Sequence, residues 1–284
     1  MSSPVSVAIV QMTGVPYEAR ANRRRSVRRA EYAFATGAQI VVLPEMVVPG
    51  YALDPARLRG VAEDIEGETV QAWLAAADAA GGYVVGGLCE RDGDRLYNTA
   101  VIVGDGRLLL HYRKLHLFGP EKTALRPGDR GLPVVRTRLG TLGVCICYDL
   151  RFVEALRILT LQGADLVCVP TAWVTGFDAT RHDGEGMPPQ AHGAVLQAGL
   201  NQVFVACASQ VGRPGEFDLL GGSLIADPYG RRLCGPLSGA DEDFATVELD
   251  LTAARRAQDR GGHIQPRSDR RSDVYGVVIE GRVL

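Results

Sequence analysis

The chain has 284 residues, 46% hydrophobic and 23% charged, which is enough apolar material for a large core without metal or disulfide staples. A net charge of −2 and a pI near 6.2 give no electrostatic case for nucleic acid as a partner. No stretch approaches the roughly 18 uninterrupted apolar residues of a membrane helix, and residues 1–12 lack the basic flank of a signal peptide, so a cytoplasmic protein without membrane contact is expected.

In chain order, residues 5–11 alternate and predict a strand. Residues 17–36 predict a helix with Val27, Ala30 and Phe34 on its buried face and the arginines at 20, 23, 24, 25, 28 and 29 mostly on a solvated one. Residues 38–43 form an apolar strand running into Pro44-Glu45; residues 68–80 predict a second helix, followed by Gly81-Gly82 and a strand over 83–87. Residues 98–103 and 108–114 predict a hairpin turned by Gly104-Asp105-Gly106. The second half repeats the rhythm: strand 142–147, helix 152–162, strand 165–169, helix 189–200, strand 203–208, then sheet material at 223–226, 232–234 and 244–249. No linker, repeat or composition shift interrupts this order. It predicts helices layered on mixed sheets in one domain spanning residues 1–284.

Six cysteines lie at 89, 145, 147, 168, 207 and 234, with no CxxC pair to suggest zinc or a redox disulfide. Five read as buried thiols. Cys147 differs, because it stands where a strand ends and a helix begins. At such a turn unpaired N–H groups can hold an oxyanion, and the helix dipole is expected to lower the thiol pKa. Glu45 and Lys114 also stand at strand ends, in Leu43-Pro-Glu45 and Tyr112-Arg-Lys-Leu-His116. A carboxylate can deprotonate a thiol and later protonate a leaving amine, and an ammonium can stabilise the oxyanion formed beside it.

These two motifs and Cys147-Tyr-Asp-Leu-Arg-Phe152 resemble the three signatures of the nitrilase superfamily of carbon–nitrogen hydrolases, in order and with gaps of about 70 and 33 residues. The likeness extends to Gly222-Ser223-Leu-Ile-Ala-Asp227-Pro228-Tyr-Gly230 and Arg270-Arg271-Ser-Asp-Val-Tyr275, and so covers essentially the whole chain. It implies an α/β fold, a four-layer αββα sandwich with two mixed β-sheets, commonly paired as a homodimer, and no cofactor or metal. It also implies a second glutamate, Glu121, which holds the lysine; the backbone N–H of Tyr148 in the oxyanion hole; and Trp173 as a wall of the substrate pocket. Val153-Glu154 stands where the family usually has Pro-Glu, and Gln197-Ala-Gly-Leu-Asn201 departs from the family's Arg-Ala-x-Glu-Asn, which bears on the packing of that helix.

His182-Asp183 has no partner at ligand spacing and reads as part of a glycine-rich loop over the pocket mouth, not as a metal site. Ser223 lacks the Gly-x-Ser-x-Gly setting of a nucleophile elbow. Within the superfamily the cysteine motif resembles amidase branches, so a small-molecule amide is the expected substrate, with N-carbamoyl compounds second and nitriles third. The chain carries no synthetase domain after the hydrolase motifs. A non-catalytic relative that only binds a ligand is the alternative outside enzymes, and the presence of all four residues argues against it.

Overall fold

The computed structural model describes residues 4–279 and 281–284. The first half contains β1 (Val5–Gln11), α1 (Ala19–Ala35), β2 (Ile40–Val42), α2 (Pro55–Val61) and α3 (Glu68–Ala80). After these come β3 (Tyr83–Asp92), β4 (Arg95–Gly104), β5 (Arg107–Arg113) and α4 (Glu121–Ala124). The second half contains β6 (Val134–Arg136), β7 (Thr141–Val144), a 3-10 turn (Cys147–Arg151), α5 (Val153–Leu161), β8 (Leu166–Thr171) and α6 (Pro189–Asn201). It continues with β9 (Phe204–Ser209), the short ribbon β10 (Val211–Gly212) and β11 (Leu219–Leu220), then β12 (Leu224–Ala226), β13 (Arg232–Cys234), β14 (Asp243–Leu249) and α7 (Thr252–Arg256).

Two six-stranded mixed sheets result, ordered β14-β1-β2-β3-β4-β5 and β13-β12-β9-β8-β7-β6. Each has three parallel strands at its centre, β1-β2-β3 in one and β7-β8-β9 in the other, with antiparallel strands outside them. The parallel centres require helical crossovers, and these supply the covering layers: α1 and α3 on the first sheet, α5 and α6 on the second. Alternation sorts the first sheet cleanly. Val7, Ile9, Val85, Ile102 and Tyr112 face the second sheet, whereas Ala8, Val10, Val84, Val101 and Val103 face the helices. This is the expected αββα arrangement. No helix among the described residues is long and apolar enough to cross a membrane.

Several local expectations shift. The fully buried stripe of α1 is Asn22, Ser26, Ala30 and Ala33, and Val27 and Phe34 of the expected face pack partly buried against the same core. The two polar members belong there because Asn22 Nδ2 donates to the carbonyls of Val15 and Val48, and Ser26 Oγ accepts from Trp73 Nε1. Its arginines are not simply solvated either: Arg23 pairs with Glu63 at 3.0 Å, and Arg29 with Glu242 at 2.8 Å. The strand expected over 83–87 continues to Asp92 and forms its own hairpin with β4. Cys234 is half-buried rather than buried, on the edge strand β13.

Candidate active site

Glu45, Lys114, Cys147 and Trp173 all lie just beyond the carboxyl ends of strands: β2, β5, β7 and β8. Open α/β sheets bind ligands at such ends, where backbone groups leave the ladder. The two sheets are stitched here. Glu45 N donates to Thr171 O of β8 at 3.4 Å, and Gln210 Nε2, just past β9, donates to Glu45 O at 2.7 Å. The chain reverses at Met46, which sits at φ +47°, in the left-handed region that costs a side-chain-bearing residue energy. That turn lies directly on Gly87, where an added Cβ would fall 2.7 Å from Glu45 Cα.

Lys114 Nζ, fully buried, donates to Glu45 Oε1 at 2.7 Å and to Glu121 Oε1 at 2.9 Å. Asn98 Nδ2 donates to the same two oxygens at 2.7 and 3.1 Å. Tyr51 Oη donates to Glu121 Oε1 at 2.9 Å, and Phe118 N to Glu121 Oε2 at 2.8 Å. Glu121 is thus fully engaged, whereas Glu45 Oε2 is buried without a hydrogen-bond partner among the described residues. Burial raises the Glu45 carboxyl to about 7, with Lys114 opposing that shift and Glu121 adding to it. The Lys114 ammonium is pushed above its usual range: burial works against the charge, and the two glutamates overcome it.

Cys147 opens the 3-10 turn at φ +45°, a second strained residue at the same end of the molecule. The expected strand over 142–147 stops at Val144, and only Cys145 N continues the pattern, to Cys168 O at 3.4 Å. The expected fall in thiol pKa does not occur. Burial and the nearby Glu45 carboxylate push Cys147 well above the usual thiol range, while Lys114 and the Ala172 backbone pull the other way.

Asp149 clamps this turn to the lysine segment. Its Oδ2 accepts from Tyr112 Oη at 2.6 Å and Ile146 N at 2.8 Å, and its Oδ1 accepts from His116 N at 3.1 Å, with His116 Nδ1 at 2.7 Å. A cavity of about 80 Å3 opens at Cys147, walled by Phe118, Tyr148, Trp173, Phe177 and Gln190. Phe118, Tyr148 and Phe177 meet edge to face at 5.1–5.7 Å between centroids.

A sequence profile described as carbon-nitrogen hydrolase matches residues 6–259. The chain belongs to this family. A nitrilase from Pyrococcus abyssi is 35% identical over 275 residues, covering 95% of this chain and 99% of that protein. An omega-amidase from Danio rerio is 33% identical, covering 98% of this chain and all of the relative (100%). An amidase from Nesterenkonia sp., a nitrilase-superfamily member, has a TM-score of 0.78 at 25% identity, with 96% of each chain covered. A variant of that amidase has been solved with butyramide, and its active-site cysteine has been seen with acrylamide added. The protein is a hydrolase of carbon–nitrogen bonds other than peptide bonds.

In this hydrolase Lys114 joins Glu45 to Glu121, and Cys147, Tyr148 and Trp173 line the adjoining cavity. The His182-Asp183 pair stands apart and is structural. His182 Nε2 lies 3.1 Å from Leu220 O, and Asp183 accepts from Glu185 N and Met187 N while facing His192. From the same loop it is Phe177 that walls the pocket. The departure at Gln197 is absorbed by Gln197 Nε2, which donates to Leu150 O at 2.6 Å and so ties α6 to the nucleophile turn. Sequence reasoning missed Tyr51, Asn98, Asp149 and Gln190. Asp149 alone had a signal, its place inside the cysteine motif.

Proposed function

We propose that the hydrolase is an amidase that converts a small carboxamide to the acid and ammonia through a thioester on Cys147. The observation that carries this reading is Glu45: one oxygen is tied to Lys114 and Asn98, the other is buried and unpartnered, and the carboxyl is raised to about 7 near the half-buried Cys147 thiol. The likeness of the chain to an omega-amidase in sequence and to an amidase in fold supports the amide, and its likeness to a nitrilase keeps nitriles in the test.

On this reading the Cys147 Sγ–H proton passes to Glu45 Oε2 as sulfur attacks the amide carbon. That transfer turns two groups, both disfavoured as anions by burial, into one protonated acid and one new C–S bond. Lys114 has three N–H donors, of which Glu45 and Glu121 use two; the third and the Tyr148 N–H hold the oxyanion. Glu45 returns its proton to the departing nitrogen, and ammonia leaves with thioester formation. Water then gives a proton to Glu45 and its oxygen to the acyl carbon, and the acid leaves as Sγ regains the proton. Glu121 keeps Lys114 in place, and the Trp173 ring bounds the acyl side of the pocket.

The proposal includes a single hydrolase domain, a cytoplasmic location, which the six free cysteines suit, and a homodimer. Leu196, Leu200 and Val153 on α6 and α5 are exposed apolar side chains that a second copy would cover. Light scattering of the 30.4 kDa chain tests the dimer, and a monomer at working concentration sinks it. Ammonia release from a panel of amides, N-carbamoyl compounds and nitriles tests the reaction, with Cys147→Ala as control. Turnover confined to nitriles or N-carbamoyl compounds overturns the amidase assignment.

A further inference from the structure

A carboxylate that moves a proton must keep one oxygen free, and that leaves its side chain with half its restraints. Glu45 Oε1 is held by Lys114 and Asn98, whereas Oε2 has no hydrogen-bond partner among the described residues. The backbone of Glu45 is held instead, and from the other sheet. Gln210, fully buried just past β9, donates from Nε2 to Glu45 O at 2.7 Å, a shorter bond than the 3.4 Å from Glu45 N to Thr171 O.

Gln210 is itself fixed. Its Oε1 accepts from Gly14 N at 2.9 Å, its own N donates to Thr171 O at 3.0 Å, and its carbonyl accepts from Gly221 N at 3.2 Å. The amide has one possible orientation, since the Gly14 N–H can only donate and the Glu45 carbonyl can only accept. The carbonyl it holds belongs to the Glu45–Met46 peptide, and Met46 stands at φ +47°. Left-handed backbone at a residue with a side chain persists only where its surroundings over-determine it. Without Gln210 Nε2 the buried carbonyl is unpaired, and rotation of that one peptide lets Met46 leave the left-handed region. The same rotation changes ψ of Glu45 and the direction of its carboxyl. We infer that Gln210 is a positioning residue: its amide locks the Glu45–Met46 peptide and so keeps the Glu45 carboxyl against Lys114 and near Cys147. This rests on Glu45 as the proton carrier of the amidase reading.

The test is Gln210→Met, close in size but without a donor, assayed per folded molecule beside the wild type, Glu45→Gln and Glu90→Gln. The substrate is whichever amide of a panel including butyramide the wild type hydrolyses fastest. In Gln210→Met, kcat should fall by roughly ten- to a hundred-fold with KM within about two-fold, because Gln210 is not among the described residues that wall the cavity. The acid limb of kcat/KM should move off pH 7 by about half a pH unit or more, since the Lys114 and Glu121 charges then stand at other distances from Glu45. Gln210→Asn keeps an amide one methylene too short to span Gly14 N and Glu45 O; it should show the same pattern and serves if Gln210→Met does not fold. A Gln210 of structural importance alone lowers Tm, as Glu90→Gln should, while kcat and the acid limb stay at wild-type values. That result overturns the inference, as does a loss confined to KM. If Glu45→Gln keeps wild-type turnover, or the wild type releases ammonia from no amide, the underlying reading has failed and this inference falls with it.

Discussion

Arg113 and Lys114 are neighbours at the end of β5, and each reaches a buried glutamate on opposite sides of the first sheet. Glu90 is closed on every side: Thr99 Oγ1 donates to it at 2.6 Å, His111 Nε2 lies 2.7 Å away, and Arg113 donates to both of its oxygens. Arg113 in turn reaches Asp92 at 2.8 Å and Asp129 at 3.1 Å and lies over the Tyr97 ring. Burial raises the Glu90 carboxyl, but the hydrogen bonds from His111, Arg113 and Thr99 outweigh it and hold it at about 2. Glu45 is as deeply buried, shares its cation with Glu121, and keeps one oxygen free; it stands at about 7. Burial raises both carboxyls; at Glu90 the hydrogen bonds of three partners overcome it, whereas at Glu45 a cation shared with Glu121 does not.

The comparison breaks if chemistry proceeds without the Glu45 side, so Cys147→Ala is expected to lose at least about four powers of ten in ammonia release while its circular dichroism stays unchanged. Glu45→Gln should lose about three to four powers, because the proton carrier itself is gone. Thioester trapped on Cys147 by mass spectrometry at the wild-type rate in that variant would contradict the assignment. Glu121→Gln keeps size and one acceptor but removes the charge facing Lys114, and should cost about two to three powers of ten. Turnover at the wild-type rate would make it an ordinary buried acid.

The Glu90 side should respond in stability and not in rate. Glu90→Gln leaves Arg113 short of its buried counter-charge and should cost about 3–5 kcal/mol in urea unfolding, with turnover per folded molecule within about two-fold. The sharpest contrast is in pH. For Glu90, lowered from 4.5 to about 2, the stabilisation is complete above 4.5 and lost as pH falls towards 2. For Glu45, raised from 4.5 to about 7, the contribution is complete below 4.5 and lost as pH rises through 7. Tm against pH should therefore lose its acid slope in Glu90→Gln and not in Glu45→Gln. Over the same range wild-type kcat/KM should rise through about pH 7, as Glu45 becomes free to take the thiol proton.

The sequence carried the strand-helix rhythm and the three charged or nucleophilic residues at strand ends, Glu45, Lys114 and Cys147, because alternation and motif order are local properties. What it could not carry was which polar residues become buried. Asn98 lies within β4 and Tyr51 lies in a loop, and nothing nearby marks either as a partner of Glu45 or Glu121; only the docking of distant segments does that. Asn22 and Ser26 joined the buried face of α1 unmarked for the same reason, since buried polar groups that find partners escape a hydrophobicity rule. Cys147 shows the limit in electrostatics: its strand-end place was readable, but the raised thiol depends on burial and on a carboxylate far away in the chain.

The two hydrogen bonds that fasten Glu45 to Thr171 and Gln210 have a consequence for how the molecule is made. Glu45, Lys114 and Glu121 come from the first half of the chain, and Cys147, Trp173 and Gln190 from the second, so neither half holds a usable set. During refolding β1–β5 and β6–β13 can regain their secondary structure from strands and crossovers near in sequence, only β14 coming from far along the chain to pair with β1, and circular dichroism will record that recovery. Catalysis must wait for the last and least local event, the face-to-face docking of the two halves. Ammonia release is therefore a clock for that docking: it should lag the far-ultraviolet signal, and any trapped half-assembled species should be fully structured by that signal and inert.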